Sequence, residues 1–375
     1  MIVIAEPTYR DGEHAPFNCS VLRAATLACG KVLFAATTVH QSSMAEVFRA
    51  ETVEKALPSV ETRPIDVMAP GGIRLRRIWA QWRTLESLVG HFRPHTLVLL
   101  SAGPETLFVA RLLAHRYRAI RLFIVMHGNL STVTGWRSRD PRHRLLDMRS
   151  ALSVSHHPRI HLVVLEKHIS VAAMKANLNN RFLVWLHPTS ADEEAPPAPW
   201  SPPARLRLVF VGSANRQKGF DQILKLQRKF RTNYDWALAG TISEDLSGTD
   251  LVDFDLPPGR LSRADYLAAV RRADYAIVAF GPEYALTASG SLLDCMTQTK
   301  PLIAVRNTSL EALQTQYGPF GYLCADLEAM ATLLSQPERL RDAVAYAGFQ
   351  QTLRAMHADR LPDRLATKIR TDLGC

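Results

Sequence analysis

The stretch VFVGSANRQKGFDQIL, Val209 to Leu224, ends an apolar run in Gly212 and then presents Lys218 followed by Gly219. A strand that enters a helix through a glycine-containing turn leaves unpaired backbone N–H groups at the helix start, pointing at whatever lies above them. A lysine beside them adds a cation, and Arg216 is a second one nearby. The chemistry this offers is the binding of a phosphate. A second stretch, ALTASGSLLDCMTQTKPLIAV, opens a helical pattern at Ser289 and Gly290. Free N–H groups and the helix dipole suit a pyrophosphate there, and the small side chains let it approach the backbone. Asp294 follows on the same helix, a carboxylate able to accept hydrogen bonds from both hydroxyls of a ribose.

The groups able to move protons lie in the other half of the chain. EPTYRDGEHAPFNCSVL follows the first strand pattern and contains Asp11, Glu13 and His14, with Asn18 a turn further on. A carboxylate or an imidazole can take the proton of a hydroxyl in general base catalysis, and these are the available groups. FIVMHGNLS places His127 and Gly128 at the carboxyl end of another apolar run.

These residues need elements to hold them. MIVIA, KVLFAAT, TLVLLS, RLFIVMHG, HLVVLE and RFLVWLHP are strand-length apolar runs with helical patterns such as GPETLFVARLLAHRY between them. Continuously apolar strands alternating with helices predict a parallel sheet covered on both faces. SADEEAPPAPWSPPAR interrupts the alternation as a proline-rich linker. Beyond it LRLVFVG, DWALAG, DLVDFD, YAIVAF and PLIAV restart the pattern, and the chain from Asp326 onward reads as helical, with Leu327, Met330, Leu333 and Leu334 at core spacing. In open parallel sheets ligands bind beyond the carboxyl ends of the strands, where the Gly212, His14 and His127 segments fall.

Composition sets the outer limits. A chain of 375 residues is long for one core, so two domains are expected. With 47% hydrophobic and 21% charged residues it reads as a globular protein. No apolar run approaches the roughly 18 residues of a membrane span, and MIVIAEPTYR reads as a strand, with no basic leader. The cysteines at 19, 29, 295, 324 and 375 form no CxxC pair, so reduced thiols of a cytoplasmic protein are expected. A net charge of +10 implies acidic company. Nucleic acid is disfavoured because no recognition motif accompanies the charge. GGIRLRRIWAQWRTLESLVGHF combines Arg74, Arg76, Arg77 and Arg83 with Trp79 and Trp82, and WRSRDPRHRLLDMR adds more arginines. Such helices suit an anionic membrane surface.

The Val209–Leu224 stretch resembles the G-R-x4-K-G donor motif of GT-B glycosyltransferases, in particular the group 1, or family 4, sugar-nucleotide transferases of polysaccharide biosynthesis. Gly212, Lys218 and Gly219 keep the spacing, while Ser213 stands at the arginine and Arg216 follows three residues later. SGSLLD resembles the family's second donor motif: Asp294 matches its second glutamate, Leu286 stands at the first, and Thr299 replaces the glycine before Lys300-Pro301. EHAPFN resembles an acceptor loop of some polysaccharide transferases, and His127 resembles a strand-end histidine that touches the donor sugar.

The resemblance implies an α/β GT-B fold, two Rossmann-like doubly wound parallel-sheet domains facing a central cleft. Residues 1–189 would bind the acceptor, 190–205 form the linker and 206–348 bind the nucleotide sugar, with 349–375 returning as a helix towards the first domain. Gly212, Arg216, Lys218, Glu283, Ser289, Gly290 and Asp294 would bind the donor, Asn18 the acceptor, and Asp11, Glu13, His14 and His127 would carry the catalysis. The implied activity is sugar transfer from a nucleotide diphosphate sugar to a hydroxyl of a lipid-linked oligosaccharide or polysaccharide intermediate, at the cytoplasmic face of the membrane. No metal or other cofactor is implied, and the Asp253–Asp255 and His156-His157 pairs are not expected to bind one. A UDP-sugar 2-epimerase of the same fold and a non-catalytic nucleotide-sugar binder remain alternatives.

Overall fold

A computed structural model of the chain describes residues 1–12, 14–50, 60–67, 74–133, 147–178, 180–190, 199–243, 246, 251, 254–257, 259 and 261–375. The chain divides into two compact units. One comprises Met1–Asp192, Leu286–Ala288 and Arg360–Cys375; the other comprises Glu193–Ala285 and Ser289–Asp359.

The first unit is built on a wholly parallel sheet of order β3-β2-β1-β4-β5-β6-β7. Its strands are β1 (Ile2–Ala5), β2 (Val32–Ala36), β3 (Val60–Pro64), β4 (Thr96–Leu99), β5 (Arg121–Val125), β6 (Ile160–Val164) and β7 (Phe182–Val184). Strands β1, β2 and β4 are buried along their whole length, as expected where helices cover both faces. The helices are α1 (Ala15–Cys29), α2 (Thr38–Ala50), α3 (Arg74–Phe92), α4 (Pro104–Arg116), α5 (Met148–Val154) and α6 (Lys167–Lys175). The strand order reverses at β1, which pairs with β2 on one side and β4 on the other. The loops leaving β1 and β4 therefore diverge and open a crevice at the carboxyl end of the sheet.

The second unit repeats the plan with the parallel order β10-β9-β8-β11-β12-β13. Its strands are β8 (Arg207–Val211), β9 (Asp235–Ala239), β10 (Phe254–Asp255), β11 (Tyr275–Val278), β12 (Leu302–Val305) and β13 (Gly321–Cys324). Helices α7 (Phe220–Phe230), α8 (Arg263–Arg272), α9 (Gly290–Thr297), α10 (Thr308–Tyr317), α11 (Leu327–Leu334), α12 (Pro337–Leu340) and α13 (Ala343–Ala358) complete it. The reversal falls at β8, the strand that leads into Gly212.

After α13 the chain returns to the first unit as α14 (Pro362–Leu373). Arg370 donates to the carbonyls of Leu27 and Ala28 at the end of α1, at 3.0 and 3.2 Å, and the Trp185 indole donates to Asp372 at 2.8 Å. The expectation of five reduced thiols is corrected here, because Cys29 and Cys375 form a disulfide where the ends of α1 and α14 meet. Cys19, Cys295 and Cys324 are free and buried. At the return point the fully buried Arg360 forms a bidentate ion pair with Glu166, which lies just beyond β6.

Candidate functional site

In the second unit the anion-binding geometry is built around Gly212. Strand β8 ends at Val211, and Gly212 turns the chain with φ 83°, in the left-handed region. A Cβ there would lie 2.3 Å from Ser291 Oγ and 2.6 Å from Lys218 Nζ, so a side chain at 212 would push the pair aside. Asn215 accepts from the Lys218 backbone N–H at 2.9 Å, and Gly219, with φ 69°, caps α7. A Cβ on Gly219 would sit 2.2 Å from the Ala279 carbonyl oxygen. Gly219 is thus demanded by the close approach of backbone, and Gly212 by its left-handed φ.

Lys218 Nζ donates to Ser291 Oγ at 2.7 Å. Ser291 lies in the first turn of α9, whose N-cap Ser289 accepts from the Leu292 N–H. The lysine therefore places its charge beside a helix N-terminus, where cation and dipole act on the same anion. Burial lowers the Lys218 pKa to about 8, against the opposing pull of the Asp294 carboxylate. Gly290 has open space around its Cα, and Arg216 is exposed on the turn. Glu283 lies in a short 3-10 turn, Pro282–Leu286, but its side chain is outside the described residues. Leu286 is buried among apolar side chains.

Asp294 has protein partners that the sequence did not suggest. Arg263 donates to one carboxylate oxygen at 2.7 Å, and the Tyr266 hydroxyl donates to the other at 2.8 Å. A carboxylate has about four acceptor positions, so these bonds leave some capacity, but they hold the group rigidly. The Tyr266 hydroxyl is held well above its ordinary pKa, by burial first and then by the adjacent carboxylate. Lys300 is structural: its buried ammonium donates to the carbonyls of Arg271 and Ala273 at the end of α8.

In the first unit, His14 caps α1 in the left-handed conformation, φ 66°. Its ring stacks on His127, which follows β5, with centroids 3.9 Å apart and planes at 23°. Tyr9 packs against His14, while Phe17 and His187 meet the His127 ring edge to face. Burial lowers the His14 pKa to about 4, helped by His40 and opposed by Asp11. Burial, then His14 and His187, holds His127 well below its ordinary value. Both rings are neutral near pH 7. The Nδ1 atoms of both are buried without a hydrogen-bond partner. His187 joined this cluster without a signal in the sequence.

Asn18 is fully buried in α1. Its amide nitrogen contacts Glu6 Oε2 at 3.3 Å and His40 Nε2 at 2.8 Å, and His40 Nδ1 reaches the Asp11 carbonyl. Glu6, fully buried at the end of β1, also accepts from the backbone N–H groups of Thr8 and Tyr9 and from Ser101. These bonds fix the loop from β1 to His14. Glu13 lies outside the described residues. Asp11 lines a pocket of about 940 Å³ together with side chains that follow β2 and β3 and others on α3 and α4.

Asp253 lies outside the described residues, and Asp255 pairs with Arg207. His157 Nδ1 accepts from the Arg159 N–H at 3.2 Å. Among the described residues no cluster of three or more histidine, cysteine or acidic side chains could hold a metal ion. No helix among them is long and apolar enough to cross a membrane.

No protein-family model matches the sequence, and no curated protein matches it significantly. Solved structures do. Anabaena HepE in complex with UDP and glucose superposes with a TM-score of 0.66 at 12% identity, over 100% of this chain and 99% of that one. The glycotransferase of kitacinnamycin gives 0.58 at 15% identity, over 99% and 98% of the two chains. A UDP-N-acetylglucosamine 2-epimerase gives 0.58 at 14%, over 100% and 95%. At these identities the likeness is one of fold: the chain has the α/β architecture of GT-B glycosyltransferases, with two parallel-sheet Rossmann-like domains.

Proposed function

We propose that the protein is a glycosyltransferase that moves a sugar from a nucleotide diphosphate sugar, with UDP as the nucleotide, to an acceptor hydroxyl. The observation that carries this reading is the Gly212, Lys218 and Ser291 arrangement, a cation held at a helix N-terminus on the switch-point strand of the second unit. The diphosphate binds there, and Lys218 offsets the charge that develops on it as the glycosidic bond breaks. Asp294, held by Arg263 and Tyr266, takes a ribose hydroxyl with its remaining acceptor positions. In the first unit the neutral imidazole of His14 accepts the acceptor hydroxyl's proton as the new C–O bond forms, and His127, stacked on it, orients the ring. The reaction as proposed asks for no metal. UDP binding in the HepE structure supports the choice of nucleotide.

The acceptor is a lipid-linked or polymeric saccharide presented at an anionic membrane surface. Support comes from the outer face of α3, where Leu75 and Trp79 are 65% and 62% exposed and Arg76 and Arg83 lie beside them. Trp82 instead packs partly on the core, Arg77 pairs with Glu105, and the Arg74 side chain is outside the described residues. The 136–149 arginine stretch lies almost wholly outside them.

The likeness to a UDP-N-acetylglucosamine 2-epimerase gives the second reading. Purified protein incubated with UDP-sugars, with and without membrane extract, separates the two. Extract-dependent UDP release with glycosylated product supports the transferase. Acceptor-independent conversion of the UDP-sugar into its epimer replaces it with the epimerase, and donor binding without any turnover leaves only a nucleotide-sugar binder.

A further inference from the structure

The disulfide that joins α1 to the end of α14 is built from the two cysteines that solvent can reach. Cys29, the last residue of α1, is half-buried, and Cys375, just beyond α14, is exposed. Their Cα atoms stand 5.2 Å apart although 346 residues separate them in sequence. Cys19, Cys295 and Cys324 are buried and free. Burial pushes the thiols of Cys295 and Cys324 up, and a buried, protonated thiol is inert. An oxidant arriving from solvent therefore meets one pair.

The bond is not what docks α14. Leu365, Ile369 and Leu373 bury their side chains in the core of the first unit. The Arg370 guanidinium holds the carbonyls of Leu27 and Ala28, Arg121 holds that of Leu373, and Trp185 holds Asp372. With these contacts in place the two thiols stay neighbours after reduction, so the bond re-forms as an intramolecular step at high effective concentration. Arg121 and Arg370 also set cations beside two helix C-termini, whose partial negative charge otherwise disfavours a thiolate.

We propose that Cys29 and Cys375 form a reversible redox clasp, which locks α14 onto α1 under oxidising conditions and opens under reducing ones without undocking the helix. To close it, the Cys375 thiolate attacks one sulfur of a small disulfide such as glutathione disulfide, whose S–S bond breaks and whose other half leaves. The Cys29 thiolate then attacks Cys375 Sγ in the mixed disulfide, and the second small thiol leaves. Two protein thiols are oxidised to one disulfide, one small disulfide is reduced to two thiols, and the two protons pass to the leaving thiolates. Opening is the reverse. Within a reducing compartment disulfides are characteristically transient and redox-sensing. The closed clasp ties off a loop of most of the chain, which takes freedom from the unfolded state and stabilises the folded one.

The test equilibrates the full-length protein in glutathione buffers of graded ratio, blocks the remaining thiols and maps every cysteine by mass spectrometry. One linkage, Cys29 to Cys375, should form and be fully reversed by excess reduced glutathione under native conditions, while the other three cysteines stay reduced. The oxidised protein should melt about 5–15 °C above the reduced one, and the difference should vanish in Cys29→Ser and in Cys375→Ser. Hydrogen exchange should find α14 protected in both forms. The comparison of oxidised and reduced parent protein stands even where a serine variant fails to fold. Four results would each overturn the proposal: no Cys29–Cys375 linkage in oxidising buffer, a linkage that the native protein does not surrender to excess thiol, equal melting temperatures, or loss of α14 protection on reduction.

Discussion

Lys218 Nζ and Ser291 Oγ, 73 residues apart in sequence, meet at 2.7 Å over the bare Cα of Gly212. The contact joins the turn after β8 to the start of α9, and the glycine is what makes room for it. Gly212→Ala should therefore displace both partners and raise the UDP dissociation constant at least about tenfold. Gly348→Ala in α13, where an added Cβ meets nothing within 4 Å, is a control outside the anion site and should leave UDP binding intact. Calorimetric titration of the two variants decides it, and equal affinities would disconnect Gly212 from the anion site.

Charge at Lys218 should be read by phosphates alone. Lys218→Ala should weaken UDP binding far more than uridine binding, because only the diphosphate meets the ammonium. With a pKa lowered to about 8, the free protein loses this cation as pH rises through that value. UDP affinity should therefore fall between about pH 7 and 9 in the parent protein but not in Lys218→Met. A parallel fall in both would assign the pH effect elsewhere.

The Asp294 carboxylate has a second task. Its bonds to Arg263 and Tyr266 mean that Asp294→Asn should cost stability as well as donor affinity, on the order of 1.5–3 kcal/mol for charge-assisted bonds. Tyr266→Phe removes one bond and should cost about 1 kcal/mol. Urea unfolding of both variants measures this. Wild-type stability in Asp294→Asn would mean that the three groups are not coupled in solution.

The stacked imidazoles set a pH signature. His14 and His127 have native pKa values below the unfolded value of 6.5, so the unfolded chain binds more protons as pH falls below 6.5. Stability is thus fully present above about pH 6.5 and declines towards pH 4, by about 1.4 kcal/mol per pH unit for each excess proton. His14→Asn should flatten that decline in urea titrations between pH 4 and 7. If His14 is the base, kcat/KM should hold down to about pH 5, with its acid limb near 4.

The outer face of α3 predicts salt-sensitive membrane binding. The double variant Arg76→Gln, Arg83→Gln and the single variant Trp79→Ala should each sediment less with anionic vesicles, without a change in UDP affinity. High salt should release the parent protein, because exposed charge is screened within about 8 Å at physiological ionic strength. Equal sedimentation of variant and parent would leave α3 as an ordinary surface helix.

Local pattern made most of the fold legible. The apolar strands β1, β2, β4, β5 and β8 were readable because parallel strands covered on both faces have no polar positions to blur them. Strand β3, VETRP, was not expected, since an edge strand exposed along most of its length carries no apolar run. The Gly212 and Lys218 turn was readable because its constraint lies within a few residues. Glu6, His40, His187, Arg263 and Tyr266 were not, because each acquires its role from a partner brought close only by folding. Glu6 meets Ser101 across the reversal of strand order, and Tyr266 meets Asp294 between two helices. Asn18 illustrates the limit: its motif suggested a ligand contact, and the burial that gives its amide nitrogen partners in Glu6 and His40 could not be read from the motif.

The return of α14 has a consequence for how the protein is made. Residues 360–373 are translated after the whole of the second unit, yet the first unit needs them: Arg360 neutralises the buried Glu166, and α14 covers α1. Until they emerge, Glu166 has no counter-charge and the flank of α1 is open to water. A buried charge deprived of its partner costs about 3–5 kcal/mol. Although N-terminal domains generally fold first on the ribosome, here the earliest-made sheet receives its last helix and the counter-charge of Glu166 only after the second unit has been synthesised.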